Sequence, residues 1–333
     1  MDRLDKKINS AFSRRSFLAG AGGVAAATMV AGCTSTSTNA SVTAPSGAYG
    51  DTDILNFALN LEYLEAQFYL YAATGKGLQA SDTTAGSAST YQTVGTVTLG
   101  NAAAVPGLTS AQQQILNEIA YEEQEHVRFL RSALGSAAVP MPSIDLSFFG
   151  PLAVAAGITG ATFNPFSTFP YFLVGAFIFE DVGVTAYSGA APLISAAGVA
   201  AGYLNAAAGI LAVEAYHAGY VRTALTGSAI AAGSASAYPY ITAANQVAAL
   251  RATLTVGASA APGTTGSVET PLALPASLTA SSSIVAASPT TAVGFARTVN
   301  QVLHIVYGSA TVGVAKGGFF PNGMNSIFAT TTA

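Results

Sequence analysis

Apolar side chains recur every three to four residues along four long segments of this chain. The first segment keeps this spacing with Ile54, Leu55, Ala58, Leu61, Leu64 and Phe68. Such a period places apolar residues on one face of an α-helix that packs against a core. The pattern predicts helices at residues 51–74, 110–134, 171–190 and 197–225, and therefore an all-α fold.

Polar residues and glycines mark the ends of these helices. Asp51 or Thr52 is the predicted N-cap of the first helix, and Thr109 or Ser110 that of the second. Gly75 follows the first helix, where a left-handed backbone conformation commonly ends a helix. The two predicted starts thus agree with the apolar periodicity.

Two long connections separate the first three helices. Residues 76–108 are rich in Gly, Ser, Thr and Ala, which predicts a surface insertion, with a short hairpin around residues 94–99. Residues 135–170 contain five prolines, so a continuous helix is excluded there. This second connection is long enough to cross the full height of a helical bundle, from the second helix to the third.

The region after the fourth helix is an extension, residues 227–333, of low sequence complexity. Within it, helices are predicted at residues 243–254 and 291–307. The tail 317–323, Gly-Gly-Phe-Phe-Pro-Asn-Gly, predicts a turn whose aromatic pair docks on the bundle. The predicted domain, with its insertion at 76–108, spans residues 51–226.

The 333 residues are 51% hydrophobic and only 8% charged, a composition that raises the question of a membrane protein. The apolar run at residues 169–179 ends at Glu180 and Asp181. It is shorter than the roughly 20 apolar residues that span a bilayer. The sequence therefore predicts helices buried in a protein core.

Residues 1–33 have the features of a targeting segment and are followed by a flexible tether, residues 34–50. Residues 13–18, Ser-Arg-Arg-Ser-Phe-Leu after an N-terminal basic stretch, resemble a twin-arginine export signal. Residues 30–33 end in Cys33, the only cysteine, and resemble a lipoprotein cleavage box. We expect export to the periplasm or cell envelope and a membrane anchor on a lipidated Cys33; an ordinary signal peptide is the alternative.

The exported part is acidic. Residues 1–33 hold five of the 12 basic and two of the 16 acidic residues, which leaves seven basic and fourteen acidic residues, a formal charge of −7. This charge argues against nucleic acid as a partner. The absence of further cysteines excludes a disulfide or a Cys-x-x-Cys site.

Charge is so sparse that single acids stand out. Between residues 146 and 213 the only charged residues are Glu180 and Asp181, within an otherwise apolar helix. A buried carboxylate is costly unless it is paired or binds a metal. This isolation indicates that Glu180 is a metal ligand. Asp181 points about 100° away, which predicts a supporting or surface role.

Two of the three histidines follow a glutamate at a spacing of three residues: Glu123 with His126, and Glu214 with His217. Residues at i and i+3 share a helix face, so each pair can bind one ion. Glu122 is the local alternative to Glu123, because its i+4 relation to His126 also fits. His304 has no glutamate at ligand spacing and is assigned to the core.

The same arrangement occurs twice along the chain. Each half has a glutamate with a tyrosine seven residues later, followed by a Glu-x-x-His helix. The pairs are Glu62 with Tyr69 and Glu180 with Tyr187. The repeat selects Glu62 over Glu65, which could be an extra ligand or a hydrogen-bond acceptor. The tyrosines are candidate catalytic residues that could bond a ligand carboxylate or act in redox; plain core aromatics are the alternative.

Six residues thus form a predicted two-metal site inside a four-helix bundle. The proposed ligands are Glu62, Glu123, His126, Glu180, Glu214 and His217. Glu123 and Glu214 are the expected bridging carboxylates. Carboxylate and imidazole donors favour two non-haem iron or manganese ions over copper.

The motifs resemble those of the ferritin-like superfamily. Asn-Leu-Glu at residues 60–62 and Glu-Glu-Gln-Glu-His at residues 122–126 are similar to the first- and second-helix motifs of ferritins and rubrerythrins. Residues 55–69 and the tail are more similar to ferritin-like desiccation-related proteins of plants and bacteria. The resemblance implies a four-helix bundle with a long crossover and the same six metal ligands. The rubredoxin module of rubrerythrins is missing, so an internal electron donor is not expected.

Two functions fit these observations. The first is redox chemistry of iron or manganese with dioxygen or peroxide in stress protection, as a ferroxidase or a peroxide-consuming oxidoreductase. The second is a non-catalytic, desiccation-related structural or interaction protein on the same fold. A homo-oligomer is compatible with both. A closed iron-storage cage is disfavoured, because large insertions and a lipid anchor fit poorly in a shell.

Overall fold

A computed structural model describes residues 49–158, 163–255, 269–272, 285–288 and 291–332. The twin-arginine motif, Cys33 and nearly all of the tether lie outside these residues. In the described ranges nearly all of the regular secondary structure is helical, with one two-stranded sheet. The predicted all-α class is confirmed.

Four long helices form the bundle. They are α1 (Asp51–Thr74), α3 (Ser110–Leu134), α5 (Phe169–Ala190) and α7 (Tyr203–Ala231). α1 packs along α3 and α5 packs along α7, while α1 also contacts α5. Short helices α2 (Ala80–Thr83), α4 (Phe149–Ala155) and α6 (Ala196–Ala200) lie in the connections. Helices α8 (Tyr240–Leu254) and α9 (Val299–Val306) of the extension pack on α5.

The caps of α1 and α3 agree with the predicted ones at two of three helix ends. Thr109 caps α3 in a capping box: its side chain accepts a hydrogen bond from the backbone N–H of Gln112, and its own backbone N–H donates to the side chain of Gln112. Gly75 ends α1 with a left-handed φ of 72°. The predicted cap at Asp51 or Thr52 is wrong, because Gly50 is the N-cap and donates its N–H to Asp53 at 2.9 Å.

Other predicted boundaries shift for local reasons. The fourth helix, predicted at 197–225, is broken at Gly202, whose φ is 89°, and α7 then continues to Ala231. The helix predicted at 291–307 is only α9, whose N-cap is Thr298. The expected hairpin is wrong: strand β1 (Val97–Thr98) pairs in parallel with β2 (Ile144–Asp145) in the crossover.

The α5 helix is the most apolar element. With the turn that follows, Phe169–Leu193 is long and apolar enough to cross a membrane by length and composition, so the predicted shortfall is wrong. Yet 78% of its most apolar 18-residue stretch is buried inside the protein. Its apolar surface is thus covered by the neighbouring helices and by the extension.

The tail docks on the bundle as predicted. Phe319 is buried and makes edge-to-face contacts with Phe149 on α4 and Phe179 on α5, each at a ring-centre distance of 5.0 Å. Gly318 takes a left-handed φ of 56°, which turns the chain at this point. The aromatic pair therefore joins the core that surrounds α5.

Asp181 does not lie on the surface, so the predicted surface role is wrong, and the hydrogen bonds to its side chain within the described residues come from arginines and not from the metal-site residues. It is buried and accepts hydrogen bonds from Arg222 at 2.8 Å and Arg251 at 2.9 Å. Arg251 and Arg297 in turn bind Glu269. This ionic network, defined as Asp181, Arg222, Arg251, Glu269 and Arg297, joins α5 and α7 of the bundle to α8 and later residues of the extension. Pairing is what makes such buried charges tolerable.

The backbone of the extension packs tightly against α5 at Gly189. A Cβ at this position would overlap the carbonyl oxygen of Arg297, whose N–H bonds Thr185 at 2.9 Å. We expect Gly189→Ala to destabilise the protein by about 1–3 kcal/mol, because overpacking forces the backbones apart. Gly219→Ala is the matched helical control: space around Gly219 is open, so alanine should stabilise by about 0.5–1 kcal/mol. Urea unfolding of both variants measures the difference, and equal shifts would contradict this packing.

Candidate metal centre

The bundle brings all six predicted ligands into one buried cluster. Helices α1 and α3 contribute three of them, and α5 and α7 contribute the other three. The members are Glu62 on α1, Glu123 and His126 on α3, Glu180 on α5, and Glu214 and His217 on α7. Each is less than one-tenth exposed. Their role as ligands stays a prediction, while their proximity is an observation.

The first potential metal position is centred on His126. Its Nδ1 lies 3.3 Å from Glu62, 3.5 Å from Glu123 and 3.5 Å from Glu214. One potential ligand atom from each of these four residues lies within 4.8 Å of the others. Three carboxylates and one imidazole therefore surround a space suited to one cation.

The second potential position is centred on His217. Its Nδ1 lies 3.0 Å from Glu123 and 3.6 Å from Glu180, and these three residues form the second group. Glu123 turns Oε2 towards His126 and Oε1 towards His217, as a bridging carboxylate would. Glu214 joins only the first group, so the structure shows the geometry of one expected bridge and not of both.

The donor atoms form close ion pairs with one another but no hydrogen bonds. Within the described residues, eight buried ligand atoms of the six residues have no hydrogen-bond partner, despite the short distances. They are Glu62 Oε2, both oxygens of Glu123, His126 Nδ1, Glu180 Oε2, both oxygens of Glu214 and His217 Nδ1. Orphaned buried polar atoms are rare because each costs about 1–3 kcal/mol. A pair of metal ions would satisfy these atoms, so the six residues fit a two-metal centre.

Burial and mutual repulsion control the protonation of the carboxyl groups. Burial raises the pKa of Glu62 and of Glu180 above the ordinary 4.5, and raises that of Glu214 well above it. Burial acts in the same direction on Glu123, but the adjacent imidazoles outweigh it and lower its pKa to about 2. Glu123 is thus the acid most firmly held as a carboxylate.

The imidazoles carry the compensating charge in the metal-free protein. Burial alone would lower the pKa of His126, but the charge of Glu62 and the contact with Glu123 raise it to about 11. The pKa of His217 is raised in the same way, against its burial, by Glu180 and Glu123. Both histidines are therefore protonated at neutral pH until a cation replaces their protons.

The two tyrosines connect the halves of the site crosswise. Tyr69 on α1 donates a short hydrogen bond to Oε1 of Glu180 on α5, and Tyr187 on α5 donates one to Oε1 of Glu62 on α1. These bonds hold the outer oxygens and leave the inner oxygens facing the centre. The structure thus favours the interpretation that each tyrosine bonds a ligand carboxylate.

The two rival glutamates lie beside the cluster. Glu122 faces outward and accepts a hydrogen bond from Nε2 of His217 at 2.7 Å, a role that sequence spacing within one helix did not reveal. Glu65 is buried, and burial together with the charges of Glu123 and Glu62 raises its pKa well above 4.5. Glu65 belongs to neither of the two groups that could hold a metal ion, so the structure does not support it as an extra ligand.

The sequence profile of the family described as "Ferritin-like domain" matches residues 50–227. The chain belongs to this family. The match covers α1, α3 and α5 and all but the last four residues of α7, and it agrees with the buried Glu/His cluster that could bind metal. No solved structure matches this chain.

Two curated relatives carry names of different kinds. The chain is 31% identical over 179 residues to the "Desiccation-related protein PCC13-62" of Craterostigma plantagineum, an alignment that covers 53% of each chain. It thus spans about half the length of that relative. It is 27% identical over 282 residues to the "Ferritin-like catalase Nec2" of Nesocodon mauritianus, with 83% of each chain covered.

Metal binding should release protons. Because His126, with its pKa of about 11, has to lose a proton to become a ligand, metal affinity should fall as the pH falls. We expect about one proton released from each histidine per pair of ions bound. Calorimetric titration with Mn²⁺ in buffers of different ionisation enthalpy measures this release. Binding heats that do not depend on the buffer would contradict the proposed charge state.

The crossed tyrosine bonds make a second prediction. Tyr187→Phe removes the donor to Glu62, so metal affinity should fall about 10–100-fold, as for other residues that orient metal ligands. Tyr63→Phe is the control, because this buried hydroxyl bonds Val139 and Arg131 away from the cluster. Unchanged affinity with lost turnover would instead indicate that Tyr187 is a redox group.

Proposed function

We propose that this protein is a di-metal carboxylate protein that carries out redox chemistry of iron or manganese with dioxygen or peroxide. The observation that carries the proposal is the set of eight orphaned ligand atoms converging from four helices. Hard oxygen donors with two imidazoles suit these metals, and the six residues contain no soft ligand. The relative named as a ferritin-like catalase supports peroxide as the substrate class.

The residues would divide the work by position. Glu62, Glu214 and His126 would hold one ion, Glu180 and His217 the other, and Glu123 both. Bound iron or manganese would supply reversible one-electron chemistry. Glu123, which stays ionised because its pKa is about 2, keeps the two positions close together. Tyr69 and Tyr187 keep the outer carboxylate oxygens from rotating inward.

The cellular setting is part of the proposal. The motif of residues 13–18 and Cys33 support export by a twin-arginine route, with a lipid anchor at the periplasmic or cell-envelope side of a membrane. A route that carries folded proteins would let the centre acquire metal before export. In this setting the protein would consume peroxide or dioxygen during stress.

A second candidate function is a non-catalytic stress protein on the same fold. The likeness to a desiccation-related protein favours it, together with the Ala/Ser/Gly/Thr-rich segments. In that case the metal would be structural or absent, and the protein would not consume peroxide or dioxygen. Metal content and peroxide consumption separate the two candidates.

Glu123→Gln is the sharpest test, since it keeps the shape of the bridging residue and removes its charge. We expect about two metal ions per chain in the wild type and loss of most of the peroxide or dioxygen consumption in the variant, at least 100-fold if the bridge is essential. Elemental analysis and an oxygen electrode give the two measurements.

Glu125→Gln is the matched control. It lies on the same helix and forms a surface pair with Arg128, so metal content and turnover should match the wild type. A folded wild-type protein that takes up neither iron nor manganese would refute the di-metal proposal. Stoichiometric metal without turnover would favour the structural alternative.

A further inference from the structure

The two halves of the centre are related by fixed residue offsets. Adding 118 to Glu62 gives Glu180, and adding 91 to Glu123 and His126 gives Glu214 and His217. A perfect repeat would make the two metal positions equivalent. The structure departs from equivalence at two points, which concern the ligand number and the outer side of one imidazole.

The ligand number differs between the positions. Among the described residues, the His126 position is surrounded by three carboxylates, whereas the group at His217 contains two, Glu123 and Glu180. Fewer charged ligands hold a cation less firmly, other things being equal. The number of carboxylates therefore predicts weaker cation binding at the His217 position than at the His126 position.

The outer side of His217 has a partner that the repeat does not reproduce. Glu122 accepts a hydrogen bond from Nε2 of His217 at 2.7 Å, while the residue that corresponds to Glu122, at an offset of 91, is Val213. A carboxylate on the outer nitrogen fixes the tautomer with Nδ1 towards the metal and strengthens that donor. Glu122 therefore supports the ion at the position with fewer ligands.

The same side of His217 opens towards solvent. A cleft of about 320 Å³ between α3 and α7 is lined by Glu118, Glu122, Val213, Tyr216 and His217, among others. Glu118 and Glu122 are one helical turn apart and face the same cleft, so it attracts cations. An ion at its inner end would meet the Glu122–His217 hydrogen bond.

We propose that the position formed by Glu123, Glu180 and His217 is the exchangeable one: its divalent cation enters and leaves through the cleft between α3 and α7, and Glu122 controls that exchange. This inference rests on the proposed two-metal function. The ion at the His126 position is the retained one. Glu122 is a positioning residue, since it acts on the metal through His217.

The experiment follows metal release from the intact, Mn²⁺-loaded protein after addition of EDTA. The wild type should release its ions in two phases, about one ion in each. Glu122→Gln weakens the acceptor on His217, so the fast phase should speed up about 10-fold or more while the slow phase keeps its rate. Glu125→Gln, on the same helix but outside the cleft lining, should leave both phases unchanged.

Val213→Phe tests the route separately. A phenyl ring fills the cleft without touching a ligand charge, so both uptake and release of the fast ion should slow at least 5-fold, with its equilibrium affinity unchanged. Circular dichroism checks that each variant is folded. Release of both ions in a single phase, equal effects of Glu122→Gln on both phases, or a fast phase that Val213→Phe does not slow would overturn the inference. A wild-type protein that holds no metal would overturn the proposed function itself.

Discussion

Like charges buried together constrain this structure more than any other interaction. Several glutamates converge where water is excluded, and each ionised carboxylate there repels the others. The molecule meets this problem with two histidines whose pKa values are raised and with carboxyl groups whose pKa values are raised too. Cations can replace those protons, so the same repulsion that burdens the metal-free fold becomes affinity for metal.

The surrounding fold fixes the orientation of the side chains in that cluster. Tyr69 and Tyr187 cross between α1 and α5, so neither glutamate can turn its inner oxygen away without breaking a bond to the opposite helix. Gly183 also contributes, because a Cβ there would overlap Glu214.

Ion pairs attach the extension to the bundle. Four of the five charged residues after His217 belong to the ionic network around Arg251.

The functional residues that sequence spacing did not assign all bond to partners far away along the chain. Glu122, Asp181 and the network arginines bond to partners at separations of 18 (Arg251 with Glu269), 28 (Arg297 with Glu269) and 41 or more residues along the chain. A signal for the network was present in the sequence, since charges are as sparse in the extension as around Glu180. The principle applied to an isolated glutamate applies equally to an isolated arginine in an apolar segment.

The sequence by itself determined the four long helices and the six candidate ligands, because periodicity and i,i+3 spacing are local properties of one helix. Only the tertiary structure decided which face of α3 meets α7, and so placed Glu123 inside the cluster and Glu122 on the outer nitrogen of His217. The pairing of β1 with β2 was beyond the sequence for the same reason. Such contacts depend on how whole elements pack, and the residues that make them lie far apart along the chain.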